Sequence, residues 1–202
     1  MRSFSAASAA LAALSILSAS GPASAARLDA AVLAEVNFAR THPAEYARQL
    51  RKDAYVGGVV GSSEIGNEDA DALSEAIDFL MSQPPLPPLS ASEALAAAAH
   101  AHAAAQGRTG QVGHVSPGGA GLSERLHAHG VWAGLAAEDI SYGYEDPREV
   151  VRQLIIDSGV PGRGHRQNIF VRAYQAAGVA CAPHREYGAM CVIDFSGALV
   201  KR

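Results

Sequence analysis

Two glycine-rich segments of the sequence each carry a histidine. His114 lies in residues 113–119 (GHVSPGG), and His165 lies in residues 157–170 (DSGVPGRGHRQNIF). Glycines and a proline at this density exclude a long helix or a central strand, so both histidines are predicted on loops. A histidine in such surroundings is placed for chemistry rather than for core packing.

Two acidic residues, Glu138 and Asp157, lie between the two histidines in the sequence. Together the four residues have side chains that can bind a metal ion or transfer protons. Neutral imidazoles and carboxylates suit zinc, with one position left open for water. The same groups suit an acid–base cavity. We therefore expect a shared cleft in which His114 and His165 hold zinc or another divalent cation, with the two acids beside them. The alternative is a hydrogen-bonded network that only orders two loops.

Glu138 is flanked by apolar residues, 135–137 on one side and Ile140 on the other. A carboxylate in such surroundings needs a partner, or its pKa shifts upward. The position therefore favours a paired carboxylate over a solvated one.

Three polar residues near the histidines are weaker candidates for ligand binding: Ser116, Arg163 and Arg166. A serine before a proline is more typical of a turn than of a nucleophile. The arginines suit a bound carboxylate or phosphate, but arginines on loops more often donate to backbone carbonyls. The remaining histidines are predicted to have structural roles: His42, His100, His102, His127, His129 and His184.

The common catalytic signatures are absent from the sequence. It contains no Gly-x-Ser-x-Gly elbow, no His-Glu-x-x-His helix, no Walker loop and no dinucleotide fingerprint. We therefore assign no catalytic residue outright. If the protein is an enzyme, the residues that would act are Glu138, Asp157 and His165.

The N-terminal segment is predicted to be a signal peptide. Arg2 precedes an apolar run over residues 6–19, and residues 23–25 (ASA) have the small-x-small form of a cleavage site. Cleavage after Ala25 would leave 202 − 25 = 177 residues, enough for one domain over residues 26–202. The apolar run is too short to span a membrane, and no later stretch is longer. The predicted location is the periplasm or the extracellular space.

The charge pattern argues against nucleic acid as a partner. The formal net charge is −4, and lysine and arginine form no cluster.

The two cysteines, Cys181 and Cys191, flank a polar turn centred near Glu186 at equal distances. In an antiparallel hairpin they would face each other within reach of a cross-strand disulfide. An oxidising compartment favours that bond. Two free buried thiols are the alternative, and a catalytic cysteine is less favoured because neither residue has a matched histidine or helix start.

The order of predicted elements gives an α+β class. Amphipathic or alanine-rich helices occupy the first half, a strand is predicted over residues 136–142, and two strands with a tight turn close the chain. A helix is predicted from Asp146-Pro147 to Asp157, because aspartate and proline are typical of a helix start. The absence of strand–helix–strand alternation favours an antiparallel sheet.

Several short motifs, in this order and spacing, resemble the CAP superfamily, which includes cysteine-rich secretory proteins, antigen 5 and plant pathogenesis-related proteins. The resemblance is strongest to the bacterial exported branch (SCP-like domains) and covers about residues 28–198. The motifs are residues 35–40 (EVNFAR), 113–116 (GHVS), 137–140 (AEDI), 149–151 (EVV), 164–169 (GHRQNI) and 177–180 (AGVA).

The resemblance implies a three-layer α-β-α sandwich with a central antiparallel sheet and a cleft holding two histidines and two acids. His114 and His165 match the two histidines, and Glu138 matches the acid of the family's Gly-Glu-Asn motif. Asp157 falls at the position of the second acid, where a glutamate is usual. Asp139 stands where the family usually has asparagine, and residues 53–88 resemble an insertion into the minimal domain.

Three functional hypotheses follow. The leading one is an exported CAP-domain binding module, rather than an enzyme, with a cation and a small-molecule, lipid-like or protein ligand. The second is a hydrolase in which Glu138 or Asp157 activates a water while the histidines stabilise developing charge. The third is an extracellular interaction scaffold.

Overall fold

A computed structural model describes residues 22–55 and 68–198 of the protein. Its helices are α1 (Pro22–Thr41), α2 (Pro43–Tyr55), α3 (Ala70–Ser82), α4 (Glu93–Thr109), α5 (Leu122–Ala128), α6 (Pro147–Ile156) and α7 (Gly164–Ile169). Its strands are β1 (Ser90–Ala91), β2 (Ala136–Tyr142), β3 (Ala176–His184) and β4 (Gly188–Ser196).

The N-terminal helix α1 begins at Pro22, within the predicted signal peptide. Most of the predicted signal peptide, residues 1–21, lies outside the described residues. Cleavage after Ala25 would remove the first four residues of α1 and leave the rest of the helix. No helix in the described ranges is long and apolar enough to cross a membrane.

The four strands form one sheet in the order β1-β3-β4-β2. The strand pairs β3/β4 and β4/β2 are antiparallel, as predicted, whereas the two-residue β1 runs parallel to β3. The expectation of a wholly antiparallel sheet is therefore wrong at this edge. The proline-rich connector, residues 84–88, leads into β1. The chain then crosses the sheet as α4 before it re-enters the sheet as β2.

Helices cover both faces of the sheet, which gives the predicted three-layer α-β-α sandwich. The larger layer packs α1, α2, α3 and α6 against one face, where Val179 and Ile193 belong to its core. On the other face, α4 packs against the alternate residues Ala180 and Val192. Side chains of a strand alternate between faces, so consecutive residues enter different cores.

The backbone of helix α4 lies in close contact with the backbone of the sheet. A Cβ atom added to Gly178 of β3 would lie 2.0 Å from the Ala96 nitrogen, and one added to Gly107 of α4 would lie 2.2 Å from the Pro183 carbonyl oxygen. Both glycines are thus required by space rather than by a special backbone conformation.

The closing hairpin contains the predicted disulfide. Cys181 and Cys191 are directly opposed in the β3/β4 register, with Cα atoms 4.0 Å apart, and their sulfurs are bonded. The amide of Cys181 also donates to Asp29 of α1 at 2.7 Å, which ties the first helix to the hairpin.

Candidate functional site

Two of the four predicted site residues, His114 and Glu138, are in contact. Glu138 lies on the edge strand β2 and faces α4 and α5, where its side chain is 1% exposed. Its Oε1 accepts a hydrogen bond from Nδ1 of His114 at 2.9 Å. The His114 side chain is 55% exposed, so the pair consists of a buried carboxylate and a histidine that reaches solvent.

Arg125 on α5, which no sequence motif indicates, is the second partner of Glu138. Its Nη2 donates to Glu138 Oε2, and its Nη1 donates to the carbonyls of His114 at 2.9 Å and Ala120 at 3.0 Å. One buried guanidinium thus neutralises the carboxylate and fixes the histidine loop. No local pattern distinguishes Arg125 from a surface arginine, because its partners are 5 to 13 residues away in sequence.

The environment of Glu138 favours its charged form. Burial alone would raise the pKa of Glu138, but the hydrogen bond from His114 and the positive charge of Arg125 outweigh it, and the pKa is lowered from 4.5. Asp194 of β4 lies directly opposite in the register. Burial and the negative charge of Glu138 raise the pKa of Asp194 well above its usual value. Burial and the neighbouring charge thus favour the neutral form of Asp194, whereas the surroundings of Glu138 favour its charged form.

Helix α4 supplies a further histidine below the loop. His102 is fully buried, with Nε2 at 3.0 Å from the Gly113 carbonyl oxygen and Nδ1 at 2.8 Å from Ser116 Oγ. Gln106 donates to the same Gly113 carbonyl. Burial lowers the pKa of His102. His102 thus joins α4 to the 113–119 loop.

The other two predicted site residues, Asp157 and His165, are also in contact with each other. Asp157 ends α6 in the left-handed conformation, with φ of 57°. Its Oδ1 accepts from His165 Nδ1 at 2.7 Å, and its Oδ2 accepts from the His165 amide at 2.9 Å. The prediction of a loop at His165 is corrected: residues 164–169 form the short helix α7, and the carboxylate satisfies free amides at its start.

The His165 side chain is 19% exposed, and Asp157 is fully buried. Burial would lower the pKa of His165, but the hydrogen bond to Asp157 and the negative charge of that carboxylate outweigh it, so the pKa is raised from 6.5.

Asp139, beside Glu138 on β2, points to the opposite face. Its Oδ1 accepts a hydrogen bond from Asn168 of α7 at 2.8 Å, whereas its buried Oδ2 has no partner among the described residues. Burial raises the pKa of Asp139 from 3.8 to about 8. The departure from the family's usual asparagine thus places a neutral acid near His165.

The four predicted site residues therefore form two histidine–carboxylate pairs that flank β2. The α4/α5 side of the strand carries one pair, and α6 and α7 carry the other. Within residues 22–55 and 68–198, no group of three or more His, Cys, Asp or Glu residues is arranged to hold a metal ion.

The three weaker candidates make mainly internal contacts. Ser116 bonds to His102, and Arg166 donates to the carbonyls of Ile155 and Ile156. Arg163 bonds to Glu75 at 2.7 Å and to the Asp157 carbonyl. The expectation that the arginines hold the loop by donating to carbonyls is confirmed for both.

A sequence comparison identifies the family. The sequence model of CAP, the cysteine-rich secretory protein family, matches residues 33–195. That span is most of the chain, so the protein belongs to the CAP family.

Comparison with other proteins adds little beyond the family. No curated protein matches the chain. An extracellular protein containing a SCP domain from Bacillus anthracis str. Ames is similar at 18% identity and a TM-score of 0.49, over 70% of this chain and 45% of that one. An outer surface protein from Borrelia burgdorferi is similar at 18% identity and a TM-score of 0.48, over 55% of this chain and 79% of that one. The chain thus matches less than half of the Bacillus protein.

Proposed function

We propose that the protein is an exported CAP-domain binding module that binds its ligand beside β2 through the imidazoles of His114 and His165. One observation carries this proposal: each histidine gives its Nδ1 to a buried carboxylate. The carboxylate fixes the ring and its tautomer, so Nε2 is the nitrogen left for a ligand. Neither Nε2 has a hydrogen-bond partner among the described residues.

The two histidines have suitable donor atoms for a divalent cation, but they are fewer than the protein ligands that a zinc site usually has. A histidine whose second nitrogen bonds to a carboxylate is the usual form of a zinc ligand. Zinc in proteins commonly takes three or four protein ligands, and the described residues assemble no such group. A cation held here would rely on His114 and His165, with water or ligand oxygens completing its coordination.

The surface around His114 supports a ligand with an apolar part. Val112 is 55% exposed and Val115 is 57% exposed, one on each side of the histidine in the loop. Exposed apolar side chains beside a hydrogen-bonding group are typical of a binding surface. We therefore expect a lipid-like molecule whose polar end contacts the imidazole.

The hydrolase alternative has less support in the form the sequence suggested. Both carboxyl oxygens of Glu138 and of Asp157 accept hydrogen bonds, and both side chains are at most 1% exposed. A carboxylate must contact a water to activate it. Neither acid is placed to do so.

The first test is zinc binding by calorimetry on metal-stripped protein that begins at Ala26. The comparison is wild type against a His114→Ala/His165→Ala double variant, with the exposed pair His100→Ala/His129→Ala as the matched control. Binding of about one equivalent that the control keeps and the double variant loses would support the cation. No binding to folded wild type would reject it.

A second titration separates the ligand from the cation. Palmitate is added to the same variants with and without zinc. Binding lost in the His114→Ala/His165→Ala variant, with zinc or without it, supports the binding module. If wild type and double variant bind palmitate equally, or neither binds it, the proposed lipid-like ligand is rejected.

A further inference from the structure

Ser116 and His102 form a hydrogen-bonded pair that the binding function does not use. Ser116 Oγ lies 2.8 Å from His102 Nδ1. Ser116 is partly exposed on the loop, whereas the His102 side chain is fully buried on α4. The pair brings together residues 14 apart in sequence, and nothing in the local sequence relates them.

The direction of this hydrogen bond follows from the second ring nitrogen. His102 Nε2 lies 3.0 Å from the Gly113 carbonyl oxygen, which can only accept. Nε2 therefore carries the proton. Because burial lowers the pKa of His102, the ring is neutral and Nδ1 is an acceptor. The Ser116 hydroxyl must then donate to Nδ1.

This geometry is that of a serine with an adjacent base and a third group that orients the base. The Gly113 carbonyl orients His102, and Glu138 Oε1 lies 4.0 Å from His102 Nε2, where its charge would stabilise an imidazolium. Arg125 Nη1 lies 3.5 Å from Ser116 Oγ and provides positive charge near the hydroxyl.

We propose that Ser116 is a nucleophile, with His102 as its general base, that reacts with carboxylic esters. This goes beyond ligand binding and needs no cation. The exposed side chain of Val115 beside Ser116 favours an ester with an apolar acyl group.

The reaction is an acyl transfer in two halves. Ser116 Oγ bonds to the ester carbonyl carbon while its proton passes to His102 Nδ1. The bond from that carbon to the alcohol oxygen breaks, and the alcohol leaves with the proton from His102. Water then attacks the acyl-serine with the same base, which releases the carboxylic acid and restores the hydroxyl.

A fluorophosphonate probe tests the proposal, because an activated serine displaces its fluoride and keeps the phosphonyl group. We expect intact-mass and peptide analysis of wild type to locate one label on Ser116. The label should be absent in Ser116→Ala and absent from the exposed Ser123 of α5. In His102→Gln, whose amide can still donate to Gly113, labelling should slow by about 10²-fold. A structural hydrogen bond alone would not produce that difference.

Ser116→Cys provides a second measurement that does not depend on the folding of a His102 variant. With Cys181 and Cys191 bonded to each other, its thiol is the one free thiol of the chain. If His102 accepts the proton, iodoacetamide should alkylate this thiol at neutral pH about tenfold faster than free cysteine. A thiol no faster than free cysteine, or folded wild type that takes no phosphonyl label, would overturn the proposal.

Discussion

Glu138 and Asp139 are consecutive residues of β2, yet their carboxyl groups lie on opposite faces of the sheet and hold different protonation states at neutral pH. Glu138 is ionised between His114 and Arg125. Asp139, with a pKa of about 8, is mostly neutral against Asn168. One edge strand thus supplies an acid to each side of the candidate site.

Asp139→Asn should remove a pH-dependent loss of stability. The folded state keeps the Asp139 proton up to about pH 8, whereas the unfolded chain releases it near pH 3.8. Because the folded state binds more protons between these values, the unfolding free energy of wild type falls as pH rises through them. We expect the variant to match wild type near pH 4 and to be more stable by a few kcal/mol, roughly, above pH 8.

Urea denaturation from pH 4 to pH 9 measures this difference. The exposed Asp78→Asn substitution on α3 is the control and should follow wild type. If the unfolding free energies of Asp139→Asn and wild type changed with pH in parallel, Asp139 would be ionised in the folded protein.

Glu138→Gln should lower the unfolding free energy at neutral pH and change how that free energy depends on pH in acid. The lowered pKa of Glu138 stabilises wild type above pH 4.5, and this contribution is lost as pH falls through the folded-state pKa. The amide leaves one donor of His114 or Arg125 without an acceptor, which costs about 1–3 kcal/mol at pH 7. Acid denaturation and imidazole nitrogen NMR of His114 give the two readouts. An unchanged unfolding free energy at pH 7 would contradict the pairing.

Asp157→Asn and Asp157→Ala should differ in cost. Asparagine tolerates the positive φ of 57° and keeps one acceptor oxygen, so we expect a loss of about 1 kcal/mol. Alanine leaves the His165 amide and Nδ1 without acceptors in a strained conformation, and should cost about 2–4 kcal/mol. In both variants the pKa of His165, raised in wild type, should fall by NMR titration. Equal stabilities for the two variants would argue against the observed hydrogen bonds.

Gly178→Ala should prevent close packing of α4 on the sheet. The new methyl would overlap the backbone of residues 95 and 96, and overpacking of this kind costs about 1–3 kcal/mol or more. Gly118→Ala is the control, because a Cβ there meets nothing within 4 Å. Thermal unfolding should show a large drop for the first and little change for the second. A small effect at Gly178 would mean that α4 can move outward freely.

Loss of the Cys181–Cys191 bond should cost about 2–3 kcal/mol, because the reduced chain regains the freedom of a loop closed over 10 residues. A Cys181→Ser/Cys191→Ser variant measured beside wild type in urea tests this, and reductant should destabilise wild type alone. Equal stability with and without reductant in wild type would contradict it.

Much of the fold could be predicted from the sequence because its signals are local. Asp146 and Pro147 mark the start of α6, where Asp146 accepts from the amides of Arg148 and Glu149. The hairpin register followed from two cysteines at equal distances from a turn. The two histidines and two acids were identified from motif order, and the structure pairs His114 with Glu138 and His165 with Asp157.

The rest depends on contacts between residues distant in sequence. Arg125 matters because α5 lies over β2, and Asp194 because the β2/β4 register places it opposite Glu138. The pairing of Ser116 with His102 depends on how α4 crosses the sheet. The two pairs are separate because Glu138 on β2 faces α4 and α5, whereas Asp157 and His165 lie where α6 ends and α7 begins. A list of motifs does not encode this arrangement.

The two glycines between α4 and the sheet have a consequence for protein engineering. Gly107 and Gly178 set the distance between α4 and the sheet. Helix α4 in turn holds the 113–119 loop through hydrogen bonds from His102 and Gln106. The loop is therefore positioned from beneath, by the protein interior. Val115 on this loop and Val112 just before it are exposed and form a surface that can be randomised for new ligands, while the frame that carries them stays the same.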